Sequence, residues 1–233
     1  MRFLRNWLIG LSLALIAAGA LSSYTGKQQL RWSAPPAPPA WEARASAHGY
    51  VAVSTTKPLA RSLPRLIWIP KIKVWAPIEA RGLRPNGTAV LPSLNHPLVT
   101  TWFDRGPAPG QRGTTAIFGH VDSHKVGPAV FYKLGLLRPG DLVYITLEDR
   151  RVAIFRVYAL AMYRKSSFPT TVVYRYTRAP TLRLITCGGR FDPRTHHYLS
   201  NVVAFALYVG AKRDPSSGLN GDRRPASGTG ARS

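Results

Sequence analysis

From residue 64 onward the chain alternates apolar and polar positions in short runs separated by glycine and proline. Residues 65–69 and 72–78 form two such runs split by Pro70, and Pro85-Asn86-Gly87 reads as a turn. Residues 114–118, 142–147, 152–160, 182–187 and 201–209 continue the pattern. A period of two predicts strands, because successive side chains on a strand point to opposite faces. The runs 142–147 and 152–160 are joined by Glu148-Asp149-Arg150-Arg151 and are expected to pair as a hairpin. Helical periodicity is weak, with one short turn expected around residues 129–136. Strands at this spacing, with Gly and Pro turns, predict an all-β barrel or sandwich rather than a βαβ fold. No GxGxxG, P-loop or internal repeat is present.

The first 63 residues follow a different pattern. Arg2 and Arg5 precede a span of about 20 uncharged residues, roughly what a helix needs to cross a bilayer. By the positive-inside rule a retained anchor over 1–26 would export everything after it. Ala18-Gly19-Ala20 also fits a signal-peptide cleavage site, and both readings export the protein. Residues 27–63 contain Ala34-Pro35-Pro36-Ala37-Pro38-Pro39-Ala40 and are expected to form an extracytoplasmic spacer. Residues 212–233, rich in Gly, Ser, Pro and Arg, read as a disordered basic tail. The folded domain is therefore expected over 64–211.

Composition adds one anomaly. Lys and Arg number 32 against 10 Asp and Glu in 233 residues, a formal net charge of +22, while 45% hydrophobic content suffices for a core. Such a charge attracts polyanions, whether nucleic acid, anionic lipid or wall polymer, without choosing among them. The single cysteine excludes an intramolecular disulfide and a Cys-based zinc site.

That cysteine, Cys187, closes the run 182–187 and is followed by Gly188-Gly189. A lone cysteine commonly packs as a small hydrophobe. A thiol at a strand end beside a Gly-Gly loop is instead accessible, which marks Cys187 as a candidate nucleophile. A cysteine nucleophile needs a group that moves protons, usually histidine. Of six histidines, His48, His96, His124, His196 and His197 fall in the linker or in polar loops, whereas His120 follows the strand 114–118 through Gly119. Strand ends position side chains well, so His120 is the candidate partner.

Several elements together resemble the sortases. They are Phe118-Gly119-His120-Val121-Asp122-Ser123, residues 127–132, Leu137-Arg138-Pro139-Gly140-Asp141, Tyr163-Arg164-Lys165 with Phe168-Pro169, residues 184–192 containing Thr186-Cys187-Gly188-Gly189, and residues 198–203. The Thr-Cys-Gly-Gly form and the Gly-His-Val-Asp-Ser element are most similar to the class F sortases of actinobacteria. The resemblance implies a closed eight-stranded β-barrel with short helical turns, preceded by an N-terminal transmembrane helix, and cysteine transpeptidation at the cell surface. It implies that Cys187 attacks the threonine carbonyl of an LPxTG-like sorting signal and that His120 serves the leaving and incoming amines. The acceptor would be an amine on a cell-wall precursor or a pilin.

Sortases usually carry an arginine at or just before the last strand, where it supports the developing oxyanion. Here that place holds Ser200-Asn201, so Arg194, Arg190 and Asn201 are the candidates, with Arg194 preferred for the loop length available to fold back over Cys187. Phe168, Pro169 and Val172 fall in the segment corresponding to the wall of the signal-peptide groove. The carboxylates of 64–211 are scattered along the chain, so no metal and no cofactor is expected. No specific nucleic-acid partner is expected either. Two rival readings are an L,D-transpeptidase-like wall cross-linker, in which His and Cys would share one short SHGC-like element, and a non-catalytic envelope protein that binds polyanions.

Overall fold

The computed structural model describes residues 35–38 and 56–214. The expected anchor over 1–26 lies outside the described residues, as do most of the spacer and of the basic tail. Among the described residues no helix is long and apolar enough to cross a membrane.

Among the described residues ten strands form in chain order: β1 (Pro64–Ile69), β2 (Val74–Arg81), β3 (Thr100–Phe103), β4 (Gly113–Gly119), β5 (Asp122–Ser123), β6 (Gly127–Pro128), β7 (Leu142–Leu147), β8 (Arg151–Arg164), β9 (Pro180–Asp192) and β10 (His197–Arg213). Eight close into a barrel in the order β1-β2-β3-β4-β9-β10-β8-β7, with β7 pairing back onto β1. β5 and β6 make a separate two-stranded ribbon. The expected hairpin is β7 with β8, its turn completed by Arg150 at a positive φ. The helical turn expected near 129–136 is a 3-10 turn over Leu134–Leu136. One α-helical turn, Thr170–Val173, lies in the connection between β8 and β9.

Most neighbours are antiparallel, but β2 pairs with β3 and β4 with β9 in parallel. Parallel neighbours need a long connection, and the one from β4 to β9 holds β5 to β8. β3 is absent from the sequence expectation because its residues do not alternate: Thr100, Thr101 and Trp102 are all fully buried. The Thr100 and Thr101 hydroxyls donate to Pro77 O and Val90 O, which satisfies them in the interior.

The inner face of the barrel is filled by Ile67, Ile69, Trp102, Ile117, Phe155, Leu182, Leu184 and Tyr208, among others. Each such side chain contributes about 1.5–3 kcal/mol through burial. A second apolar cluster forms on the outer face of β4, β9, β10 and β8, from Ala116, Phe118, Ile185, Val203, Phe205, Ala159 and Ala161. The connection 165–178 covers it with Phe168 and Val173. Two-sided burial accounts for the long apolar runs on β4 and β9.

The barrel's own contacts reach past both expected domain boundaries. Leu59 N–H donates to Gly110 O, and Glu148 N–H to Leu63 O, so residues 59–63 lie along the barrel. β10 runs on to Arg213.

Candidate active site

Leu182, Leu184 and Thr186 of β9 point into the barrel, which places Thr181, Arg183, Ile185 and Cys187 on its outer face. In the parallel ladder of β4 and β9 each β4 residue faces the β9 residue 67 positions on, the last pair being Phe118 with Ile185. His120 lies two residues past that last pair, just beyond the end of β4, as Cys187 lies two residues past it on β9. On the other side Cys187 is paired in register with Asn201 of β10, and Asn201 with Tyr163 of β8. Cys187, Asn201 and Tyr163 thus form one row across three strands, with the apolar row Phe118, Ile185, Val203 and Ala161 beneath it.

Cys187 is the only cysteine, is free, and is partly exposed. Gly188 follows because a Cβ there would sit 2.8 Å from Val202 Cγ2. Gly189 takes φ +74 in a β-bulge, where the pairing jumps from Gly188–Ser200 to Phe191–Tyr198.

His120 is held from two sides. Its carbonyl accepts from Phe131 N–H at 2.9 Å, and its ring Nε2 lies 2.7 Å from Pro92 O. A carbonyl oxygen only accepts, so Nε2 carries the proton and the neutral ring keeps Nδ1 as its basic nitrogen. The ring orientation is therefore fixed by the backbone of the loop between β2 and β3.

On the side away from that apolar row Asp122, two residues beyond His120, accepts a short hydrogen bond from the buried Tyr198 hydroxyl at the start of β10. The bond ties the histidine-bearing segment to the strand that carries Asn201. Burial pushes the Asp122 carboxyl above its usual 3.8, against the lowering effects of Tyr198 and of His120. Burial and the Asp122 charge together push the Tyr198 phenol well up. In the pH window from 3.8 up to the raised value, folded Asp122 holds a proton that the unfolded chain has lost. Stability at this site therefore falls as pH rises through the window. Asp122→Asn is expected to flatten that fall, measured as urea midpoints of the two proteins from about pH 3 to pH 7. Parallel midpoint curves would contradict it.

The other sequence candidates are placed differently. Arg194 sits exposed at the tip of the β9–β10 hairpin, where its N–H donates to Asp192 Oδ1. Pairing runs out to Asp192–His197, so the loop holds four residues and does not fold back over Cys187. Arg190 lies within the bulge opposite Leu199, two residues along β10 from Asn201 and on the same side of the sheet. Phe168 packs edge-on to Tyr163 at 5.9 Å and against the outer apolar cluster. Pro169 precedes the helical turn and is partly buried, while Val172 points outward and its neighbour Val173 is fully buried. Among the described residues no group of three or more His, Cys, Asp or Glu side chains is placed to hold a metal ion.

Sequence reasoning assigned no role to Asp122, Tyr198, the Pro92 carbonyl or Arg183. The strand alternation did place Arg183 on the face of Cys187; the two other side chains and the carbonyl meet only through tertiary pairing.

Among solved structures the chain is similar to sortase A of Listeria monocytogenes, at 15% identity over 65% of this chain and 90% of that one, with a TM-score of 0.49. It is also similar to a sortase D5 transpeptidase of Clostridium perfringens, at 22% identity over 64% and 79%, with a TM-score of 0.46. A third is sortase E1 of Streptomyces coelicolor with a tripeptide in its active site, at 16% identity over 70% and 95%, with a TM-score of 0.48. No curated protein sequence matches the chain. A family model described as the sortase domain matches residues 67–209, more than half of the chain and nearly all of the barrel. The chain therefore belongs to the sortase family, whose members are cysteine transpeptidases.

Proposed function

We propose that this is a membrane-anchored sortase, most similar to class F, whose Cys187 and His120 move a sorted protein from an LPxTG-like signal to an amine. The observation that supports the reading is the parallel ladder of β4 and β9, beyond whose last pair His120 and the free, partly exposed Cys187 each lie two residues further on. The thiolate of Cys187 adds to the threonine carbonyl, giving a tetrahedral oxyanion. The oxyanion collapses as the protonated His120 gives its proton to the departing glycine amine, leaving a thioacyl enzyme. An incoming amine then loses a proton to His120 and displaces the Cys187 thiolate, forming the new amide. The thioester keeps the acyl group activated between the two transfers.

The oxyanion needs a donor beside Cys187. Asn201 is its register partner and Arg190 lies on the same side one step beyond, so these two are favoured over Arg194. The basic, uncharged and Pro-rich segments before residue 64 supply the anchor and spacer in this reading, with the barrel outside the membrane and the acceptor amine on a wall precursor or pilin.

The test is incubation of the protein with a panel of LPxTG-like peptides, with and without glycine-based or lysine-based amines, followed by mass spectrometry. A thioacyl adduct on Cys187 and an amine-dependent ligation product are expected. Absence of both cleavage and adduct on every peptide would overturn the reading.

A further inference from the structure

The run Ala34-Pro35-Pro36-Ala37-Pro38-Pro39-Ala40 reads as spacer, yet part of it lies against the barrel. Pro38 is buried, Pro35 and Pro36 are partly buried, and Ala37 is exposed. The contact is with the 3-10 turn Leu134–Leu136. A Cβ added to Gly135 would fall on Pro36 O and would lie 2.9 Å from Pro36 C and 3.2 Å from Ala37 C. Gly135 does not take a positive φ, so the turn itself could be built with alanine. Room for the Pro36 carbonyl is what requires the glycine.

The turn is a firm platform for such a contact. Leu134 and Leu137 are fully buried in the core on either side of it. Leu136 N–H donates to Lys133 O and Leu137 N–H to Leu134 O, while Arg138 Nη1 donates to Leu137 O at 2.8 Å.

The segment suits the platform as well. A polyproline helix has three residues per turn, so Pro35 and Pro38 share a side that Ala37 does not, in agreement with a buried Pro38 beside an exposed Ala37. Pro35, Pro36 and Pro38 have no backbone N–H, so laying them on the barrel leaves few donors to satisfy. A proline-rich chain is stiff before it binds, which lowers the entropy lost on docking.

We propose that the barrel carries a docking site for a polyproline segment at Gly135, and that its occupant is residues 35–38 of the same chain. The chain beyond is fixed again at Leu59, whose N–H donates to Gly110 O at 2.8 Å. The consequence rests on the anchored reading: the tether between membrane and barrel is then residues 27–34 rather than 27–63. Fully extended, the 8 residues of 27–34 reach about 27 Å and the 37 of 27–63 about 125 Å. Docking therefore sets how far from the bilayer Cys187 can work.

The test reads docking as a distance. Full-length protein in detergent micelles carries Cys187→Ala, which removes the native thiol, and nitroxide labels on Ala37→Cys and Lys133→Cys, both exposed positions. Pulsed EPR is expected to give one narrow distribution below about 20 Å, because Lys133 is only two residues from Gly135. Gly135→Ala is expected to broaden it and move it beyond about 25 Å, the span of a free chain the length of residues 39–58. Pro38→Asp is expected to do the same and, lying outside the barrel, serves if the Gly135 variant does not fold. A broad distribution in the parent, or a narrow one that neither substitution alters, overturns the proposal. A short distance found only between two singly labelled copies assigns the site to a neighbour's spacer and overturns docking within one chain. Reach is read on the same proteins in zwitterionic nanodiscs, where the net charge does not hold the barrel to the lipid. Energy transfer from a dye on Lys133→Cys to labelled headgroups is expected to fall in Gly135→Ala. A narrow EPR distance in a protein that does not enter nanodiscs removes the anchored reading and leaves the docking site. Unchanged transfer in the released variant overturns docking as the limit on reach.

Discussion

Cys187→Ala is expected to leave a folded barrel with no detectable cleavage or ligation, a loss on the order of 10⁴-fold or more in kcat/KM. The side chain is partly exposed, and removing its sulfur opens no cavity in the core, so the melting temperature should stay near that of the parent. His120→Ala is expected to lower kcat/KM by roughly 10²–10⁴-fold, the range for a lost proton-transfer group. Two features separate this role from a structural one. Alkylation of Cys187 by a vinyl sulfone should slow in His120→Ala, because in the proposed mechanism the imidazole pairs with the thiolate. The double variant should be no worse than Cys187→Ala, since the two residues act as one unit. A His120→Ala protein that labels and ligates at the parent rate would show that the register between β4 and β9 does not carry chemistry.

Much of the barrel was legible because alternation survives wherever one face is buried and the other is not. Residues 142–147 were bounded correctly, and the hairpin to β8 followed from the short polar connection. β3 was not legible, since a four-residue strand buried on both faces carries no period. β8, β9 and β10 outran their expected ends because the connection 165–178 and the long hairpin stabilise backbone pairing beyond the apolar runs. His120 does follow a strand end, but Cys187 does not close its strand: β9 runs on to Asp192, and Gly188-Gly189 belong to a bulge within it rather than to a loop. The placement of the two relative to each other was not legible either. It depends on a parallel pairing between segments 67 residues apart, and no local pattern encodes that register. Arg183 shows the converse. Its place on the face of Cys187 was readable, but an outward-facing arginine is ordinarily solvated, and only the aperiodic cover turns that face into an interior. Asp122 and Tyr198 meet across 76 residues through a hydrogen bond that no spacing suggests. Arg194 was favoured for a long loop that does not exist, because strand pairing continues to His197 and uses that length.

Gly119→Ala is expected to damage fold and site together. Gly119 is the last residue of β4, paired with Thr100 and directly before His120. A Cβ there would lie 2.6 Å from Phe131 Cδ2, 2.7 Å from Val130 Cγ1 and 2.9 Å from Phe131 Cγ. Phe131 is fully buried and cannot swing aside, so either the segment 130–131 or the end of β4 has to move. Overpacking of this kind costs about 1–3 kcal/mol, which should appear as a lowered melting temperature. The same displacement strains the Phe131 N–H bond to His120 O, one of the two contacts that fix the histidine, and shifts the ring away from Pro92 O. A misplacement of about 1 Å at a reacting group can cost roughly 10²-fold in rate, so kcat/KM is expected to fall by about that factor. The fall should exceed what the unfolded fraction explains at the assay temperature. Gly82→Ala is the control, because its added Cβ would meet only ordinary contacts at 3.5 Å, from the Arg105 and Asp104 side chains. A Gly119→Ala protein with the parent's melting temperature and kcat/KM would mean that β4 does not need a bare backbone at its end to position His120.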